Sequence, residues 1–328
     1  MAVLAHELVA AEEESRSRRR QELERVLGAT ITDALGRADV VEVLVNPDGR
    51  VWIDSLVDGM LDSGARLSAH EAEDLCVTIA SELKKTIDAE HPSLIGELPI
   101  DGSRVQELFP PVVPAPTVAI RKKASRVIPL EEYVERGILA RNHEHLLREA
   151  ALERRNVVFV GGTGSGKTTL GNAFLGAIAE LTPEDRLVIL EDTYELQSTS
   201  PNVVRLRKSE HRSMTQLIQD ALRLRPDRII VGECRDASAF DFLMALNTGH
   251  KGSFTTVHAN SPREALSRLE MLIRLAQQPV IPSMLADAID LIVFMQRSRG
   301  VFRVSDLVRL VGSSAAGAYD LQPIDPQW

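Results

Sequence analysis

Cysteine is scarce in this chain of 328 residues: Cys76 and Cys234 stand far apart, with no CxxC spacing. That argues against a zinc ribbon or a disulfide framework and fits a reducing compartment. Aromatic residues make up 4%, too few for an interleaved aromatic and basic track on which single-stranded bases would stack. Basic charge is not in excess either, since 38 Lys and Arg face 47 Asp and Glu for a formal net charge of -9. A chain-wide nucleic-acid coat is thereby disfavoured, because neutralising phosphates needs concentrated Lys and Arg. No apolar run approaches the ~18–20 residues needed to cross a bilayer. The opening residues MAVLAHELVAAEEESR lack the basic and then apolar pattern of a signal peptide. Any membrane contact is expected to be peripheral.

What is present is the balance of a globular protein, 44% apolar and 26% charged, with a length that suggests two domains at about 100–200 residues each. Residues 1–37 carry the segregated charge run EEESRSRRRQELER and read as a charged helical arm, either solvated or a contact arm. Residues 38–122 read as a small α+β domain. VVEVLV, the turn Asn46-Pro47-Asp48-Gly49 and RVWID make a hairpin signal, and Ser68 to Glu71 form a capping box that opens a helix. The extended pieces LIGELPI, RVQELFP and TVAIR follow, with the proline-rich PPVVPAP placed as a loop. Residues 123–150 are helical in pattern and read as a linker. In residues 151–312 the apolar strands VVFV, RLVIL, RIIVG and GSFTTV alternate with helical stretches, which predicts an open, largely parallel α/β sheet. Residues 313–328 read as a loosely ordered tail.

The strongest chemical signal is Gly161-Gly162-Thr163-Gly164-Ser165-Gly166-Lys167-Thr168, followed by Thr169. It matches G-x-x-x-x-G-K-[ST] and lies between an apolar strand and a helix, the context that makes the pattern a phosphate-binding loop. Backbone N–H groups turned inward and a helix N-terminus favour phosphate oxygens. Lys167 is expected to reach the β- and γ-phosphates of ATP and Thr168 to ligate Mg2+. A second strand, Arg228-Ile229-Ile230-Val231-Gly232-Glu233, ends in an acid and reads as a Walker B strand, with Glu233 reaching Mg2+ through water. RLVILEDTYEL ends in Glu191 and Asp192 with Glu195 a turn later. One of these acids, Glu191 being well placed, could orient or deprotonate the attacking water. His258, at the end of FTTV among small polar residues, reads as a phosphate-sensing group, and His250 as an ordinary histidine. Arg104 and Arg121, in the small domain, are candidates to neutralise charge on the γ-phosphate.

In this order GGTGSGKTT, ILEDTYEL, LRLRPDRIIVGECRD and TGHKGSFTTVHAN resemble the Walker A, Asp box, Walker B and His box of the bacterial secretion (traffic) ATPases. NPDGRVWID, GELPIDGSRVQELFPPVV and TVAIRKKA extend the resemblance into the first domain and favour the conjugal-transfer branch of type IV secretion; no type II tetracysteine segment is present. The resemblance spans about residues 40–312. It implies a PAS-like N-terminal domain, a RecA-like C-terminal domain and a homo-oligomer in the form of a hexameric ring. It also implies Glu191 as catalytic carboxylate, Glu233 as Walker B acid, His258 as the His-box histidine, and Arg104 and Arg121 as the N-domain arginines that approach the phosphates. Cys234 departs from the aliphatic residue expected after Glu233, a change of packing more than of mechanism. The resulting expectation is a cytoplasmic ATPase, peripheral at the inner membrane, that drives secretion or conjugation proteins there and has no direct role in binding nucleic acid. The alternatives are a RecA-like DNA motor and a nucleotide-gated scaffold with little turnover.

Overall fold

The computed structural model describes residues 2–123, 126–298 and 300–328, with side chains described from residue 17 onward. The acidic start of the charged run, residues 12–16, lies outside the described side chains. Ala124 and Ser125 of the expected linker, and Arg299, lie outside the described residues altogether. The chain divides into two units, Met1–Ser125 and Arg126–Trp328.

The first unit opens with α1 (Ala2–Gly36), two helices joined at Gly28, whose φ of 70° needs a residue without Cβ. Leu23, Leu27, Ile31, Ala34 and Leu35 recur at helical spacing and are buried in the core of this unit. The folded part therefore begins well before Ala38: the second half of the expected arm carries an apolar face that needs covering. β1 (Val40–Val45) and β2 (Arg50–Ser55) form the expected hairpin. At its turn Gly49 has φ +80, and a Cβ there would fall 2.0 Å from the Leu67 carbonyl oxygen. β3 (Gly59–Arg66) is an edge strand with no apolar alternation to announce it. α2 (Ala69–Glu82) begins at the Ser68–Glu71 capping box, with Leu75, Cys76 and Ile79 buried. β4 (Ser93–Glu97), β5 (Arg104–Leu108) and β6 (Thr117–Arg121) complete an antiparallel sheet of order β3-β2-β1-β6-β5-β4.

The second unit starts with α3 (Leu130–Glu135) and α4 (Arg141–Leu152). Leu130, Tyr133, Leu139, Leu147 and Ala150 are buried with Phe159 and Phe174 in one core, so these helices are part of the second unit and not a linker. Their apolar faces pack against the helix Lys167–Leu181 and against each other, which closes this core. Then come β7 (Val157–Val160), α5 (Lys167–Leu181), β8 (Leu187–Glu191), β9 (Val203–Arg207), α6 (Met214–Ala221), β10 (Arg228–Val231), α7 (Ser238–Asn247), β11 (Phe254–Val257), α8 (Pro262–Leu275), α9 (Pro282–Ala288), β12 (Leu291–Ser298), β13 (Val301–Ser313) and β14 (Tyr319–Pro323).

The sheet order is β14-β13-β12-β7-β11-β10-β8-β9, with parallel pairing from β12 to β9 and an antiparallel extension through β13 and β14. β7, β8, β10 and β11 are buried throughout, as a parallel sheet covered on both faces requires. Phe159, Phe174 and Phe254 meet edge-on in one of its two cores, with centroids 5.7, 5.4 and 5.8 Å apart. The expected loose tail is instead ordered. β14 pairs with β13, the Ile324 carbonyl lies 2.7 Å from His143 Nε2, and Arg303 stacks 4.2 Å over the Trp328 ring.

Candidate nucleotide site

Parallel strands aim their carboxyl ends at one edge of the sheet, and a ligand site forms in the loops that leave them. Residues 161–166 leave β7 and enter α5 at Gly166, whose φ of +90 puts it in the left-handed region. A Cβ at Gly166 would meet Met295 Cε at 3.0 Å and Phe302 at 3.3 Å, a tight fit that adds to the backbone strain a larger residue would carry there. Thr168 and Thr169 occupy the first turn of α5. Ser165 Oγ is buried without a hydrogen-bond partner among the described residues, a polar group inside a glycine cradle at a helix N-terminus. That is the chemistry an anionic phosphate satisfies.

Lys167 is 6% exposed. Its Nζ donates to the Gly162 carbonyl at 2.7 Å and lies 3.4 Å from His258 Nδ1. On the other side of the ring, His258 Nε2 lies 3.3 Å from Glu233 Oε1. Lysine from the start of α5 and glutamate and histidine from two loops thus form one line across the carboxyl ends of β7, β11 and β10. The hydroxyl of Thr168 and the carboxylate of Glu233 are hard oxygen donors of the kind Mg2+ prefers, so the residues present fit that ion.

Glu191, the last residue of β8, is 3% exposed. Its Oε1 accepts from the backbone N–H of Glu195 at 2.8 Å and of Leu196 at 2.7 Å, and its Oε2 accepts from Arg205 Nη2 at 3.0 Å. Burial pushes its carboxyl above the usual carboxylate range, against the pull of those two N–H groups and of Arg205. Asp192 pairs with Lys208 at 4.0 Å and with Arg235, and Glu195 lies beyond. Of the three acids left open by the sequence, Glu191 alone is at the sheet and buried. A Cβ on Gly232 would lie 3.1 Å from Glu191 Cγ, which brings the Walker B strand against it.

Arg104 and Arg121 belong to the first unit, where they stand opposite each other across β5 and β6. His250 caps the end of α7, with Nδ1 3.2 Å from the Ala245 carbonyl oxygen.

The family model for "Type II/IV secretion system protein" matches residues 16–299. The chain belongs to this secretion ATPase family. Within it, the chain is 42% identical over 302 residues to the probable conjugal transfer protein TrbB of Sinorhizobium fredii, covering 92% of each chain. It is 44% identical over 292 residues to the conjugal transfer protein TrbB of Rhizobium radiobacter, covering 89% of this chain and 90% of that one. It is therefore a TrbB-type member. Among solved structures, the Yersinia pseudotuberculosis ATPase DotB superposes with a TM-score of 0.66 at 19% identity, over 85% of this chain and 78% of that one. The pilus retraction motor PilT with bound ADP gives a TM-score of 0.63 at 20% identity, over 88% and 83%. These two speak to the fold alone, which is a mixed α/β arrangement.

For a TrbB-type chain, two features of the site were not signalled by its motifs. Arg205, in a strand the apolar pattern did not reveal, touches the buried acid. Tyr194, within the Asp box, stacks under Arg205 at 4.9 Å and Arg207 at 5.3 Å. The alternation Val203-Val204-Arg205-Leu206-Arg207 is the signal that could have found β9. Cys234 is buried, and Thr255 Oγ1 donates to its Sγ at 3.4 Å.

Proposed function

We propose that this protein hydrolyses ATP to ADP and phosphate and that this turnover powers conjugative DNA transfer through a type IV secretion machine. The single observation that carries the reading is the line from Lys167 through His258 to Glu233, which gathers three motifs at the end of the sheet where a phosphate cradle opens. The names of the TrbB relatives supply the process.

In this reading residues 161–169 hold the phosphates, Lys167 meets the β- and γ-oxygens, and Glu191 orients and deprotonates the attacking water. Mg2+, held by Thr168 and reached by Glu233 through water, would neutralise charge shared between the β- and γ-phosphates. His258, already in contact with both Lys167 and Glu233, is placed to report whether the γ-phosphate is present. Arg104 and Arg121 would complete the charge neutralisation from the first unit, which acts as a PAS-like domain. The working assembly is a homo-hexameric ring in the cytoplasm, peripheral at the inner membrane and coupled to its secretion proteins. Among the described residues no helix is long and apolar enough to cross a membrane.

The test is phosphate release by the purified full chain, with size measured in the presence and absence of ATP and Mg2+. Lys167→Ala is expected to lower kcat by about 1000-fold or more without lowering the melting temperature. Wild-type turnover in that variant would sink the assignment, and a strict monomer under every condition would sink the ring.

A further inference from the structure

Glu191 sits in a socket made almost entirely by its own loop. After β8 the chain turns back so that the N–H groups of Glu195 and Leu196 both point at Oε1. A carboxylate oxygen has two acceptor directions, so Oε1 is filled. Among the described residues Oε2 has one donor, Arg205 Nη2 at 3.0 Å, and keeps one acceptor direction. Any proton taken from water must arrive there. The same Nη2 also donates to the Leu196 carbonyl, the outgoing end of the residue whose N–H holds Oε1. Tyr194, between Glu191 and those two N–H groups in sequence, rests its ring against the Arg205 guanidinium. One arginine from the edge strand β9 therefore touches the carboxylate, the carbonyl and the aromatic ring of a single loop. Arg205 Nε is itself buried with no hydrogen-bond partner among the described residues, an unmet donor of the kind that persists where a side chain is held for function.

We propose that Arg205 is the positioning residue of the hydrolytic reaction: it fixes the plane of the Glu191 carboxylate and so selects the Oε2 lone pair that receives the proton of the attacking water. This deepens the ATPase reading above and rests on Glu191 being the base. In this role Arg205 acts through Glu191 and not on the reacting atoms. Its effect passes through orientation, where a displacement of about 1 Å can cost 100-fold in rate.

The experiment is a kinetic double-mutant cycle on the full chain, measured by phosphate release over a range of ATP. Arg205→Met keeps the length and apolar stem but removes every donor. It is expected to lower kcat by about 10- to 100-fold and to leave KM for ATP within about threefold. Arg205→Lys, which restores one cationic donor without the planar fork, is expected to recover part of that loss. In a Glu191→Gln background, Arg205→Met is expected to cost less than about twofold more, because its route to the reaction is already cut. Binding of a fluorescent ATP analogue with Mg2+ reports that each variant remains folded. Unchanged kcat in Arg205→Met, a rise in KM with kcat intact, or a full additive loss in the Glu191→Gln background would each overturn the proposal and leave the ATPase reading standing. Wild-type turnover by Glu191→Gln alone would instead remove the base assignment, and the proposal with it.

Discussion

Two arginine–carboxylate pairs lie at opposite ends of the same parallel sheet, and they are built differently. At the amino end Arg228, the first residue of β10, is 0% exposed and its partner Asp185 is 1% exposed. Arg228 Nε donates to Asp185 at 2.6 Å, Nη1 to the Gly252 carbonyl at 3.1 Å, and Nη2 to the Ala151 carbonyl at 2.7 Å and Thr182 Oγ1 at 3.0 Å. Arg154 adds a second contact to Asp185. Burial raises the Asp185 carboxyl, but the hydrogen bond and charge of Arg228 outweigh it and hold the acid below its ordinary range. At the carboxyl end, Arg205 keeps an unmet Nε and Glu191 keeps an open lone pair. In Glu191 burial wins and the carboxyl rises. A pair in which every guanidinium nitrogen is engaged is a fastener between helix, loop and strand; a pair left partly unmatched retains the capacity to react.

That contrast breaks most visibly at Arg228. Arg228→Met leaves Asp185 buried with Arg154 as its remaining cation, and is expected to cost about 3–5 kcal/mol of stability, seen in chemical denaturation. The double variant Arg228→Met, Asp185→Leu removes both charges and is expected to recover a large part of that loss, because no uncompensated ion stays in the core. In either variant the folded fraction should turn over ATP at close to the wild-type rate. A kcat deficit that survives correction for folded protein would place the amino-end pair in the chemistry and erase the distinction.

The carboxyl end was the more legible in the sequence. A glycine-rich turn after a β-branched run, and acids after two further such runs, are local patterns with local causes, and Gly161–Thr168, Glu191 and Glu233 are where those patterns put them. What was not legible depends on distant partners. Arg228 reads as the charged flank of a strand, yet its guanidinium ends in a socket assembled from residues 151, 182, 185 and 252. β9 escaped because its arginines interrupt the apolar run, and one of them serves a buried acid. β14 and the helices α3 and α4 look like tail and linker until Tyr319 and Leu321 meet one core of the second unit and Leu130, Tyr133 and Leu147 join the other. β3 carries Gly59 and Gly64 and little burial, so nothing in its own residues announces an edge strand.

A third buried carboxylate sharpens the comparison from the first unit. Glu107 on β5 is 0% exposed, and neither carboxylate oxygen has a hydrogen-bond partner among the described residues. Burial pushes it up to about 8. Because the folded value lies above the unfolded one, the protonated form is the one the fold accepts. Stability is full below the unfolded value near 4.5 and is lost as pH rises toward 8, at up to about 1.4 kcal/mol per pH unit. Glu107→Gln keeps the shape without the charge. It is expected to melt higher than wild type at pH 8, by on the order of 2 kcal/mol, with the gap closing by pH 4. A gap that does not depend on pH would mean that Glu107 is not the titrating group.

Cys234 tests the opposite limit, a buried group beside the edge proposed to react, and it is expected to take no part in the chemistry. It follows Glu233 directly, its N–H donates to the Thr256 carbonyl at 3.0 Å, and burial pushes its thiol up to about 12. A thiol held protonated is neither nucleophile nor metal ligand near neutral pH. Its backbone bond survives any side-chain change, so Glu233 keeps its place when the sulfur is removed. Cys234→Ala is expected to cost about 1 kcal/mol through the small cavity left beside Thr255, and to leave kcat and KM within about twofold of wild type. Melting and phosphate release on the same preparation separate the two effects. A loss of kcat without a loss of stability would show that position in the sheet decides function here, and not the matching of donors and acceptors.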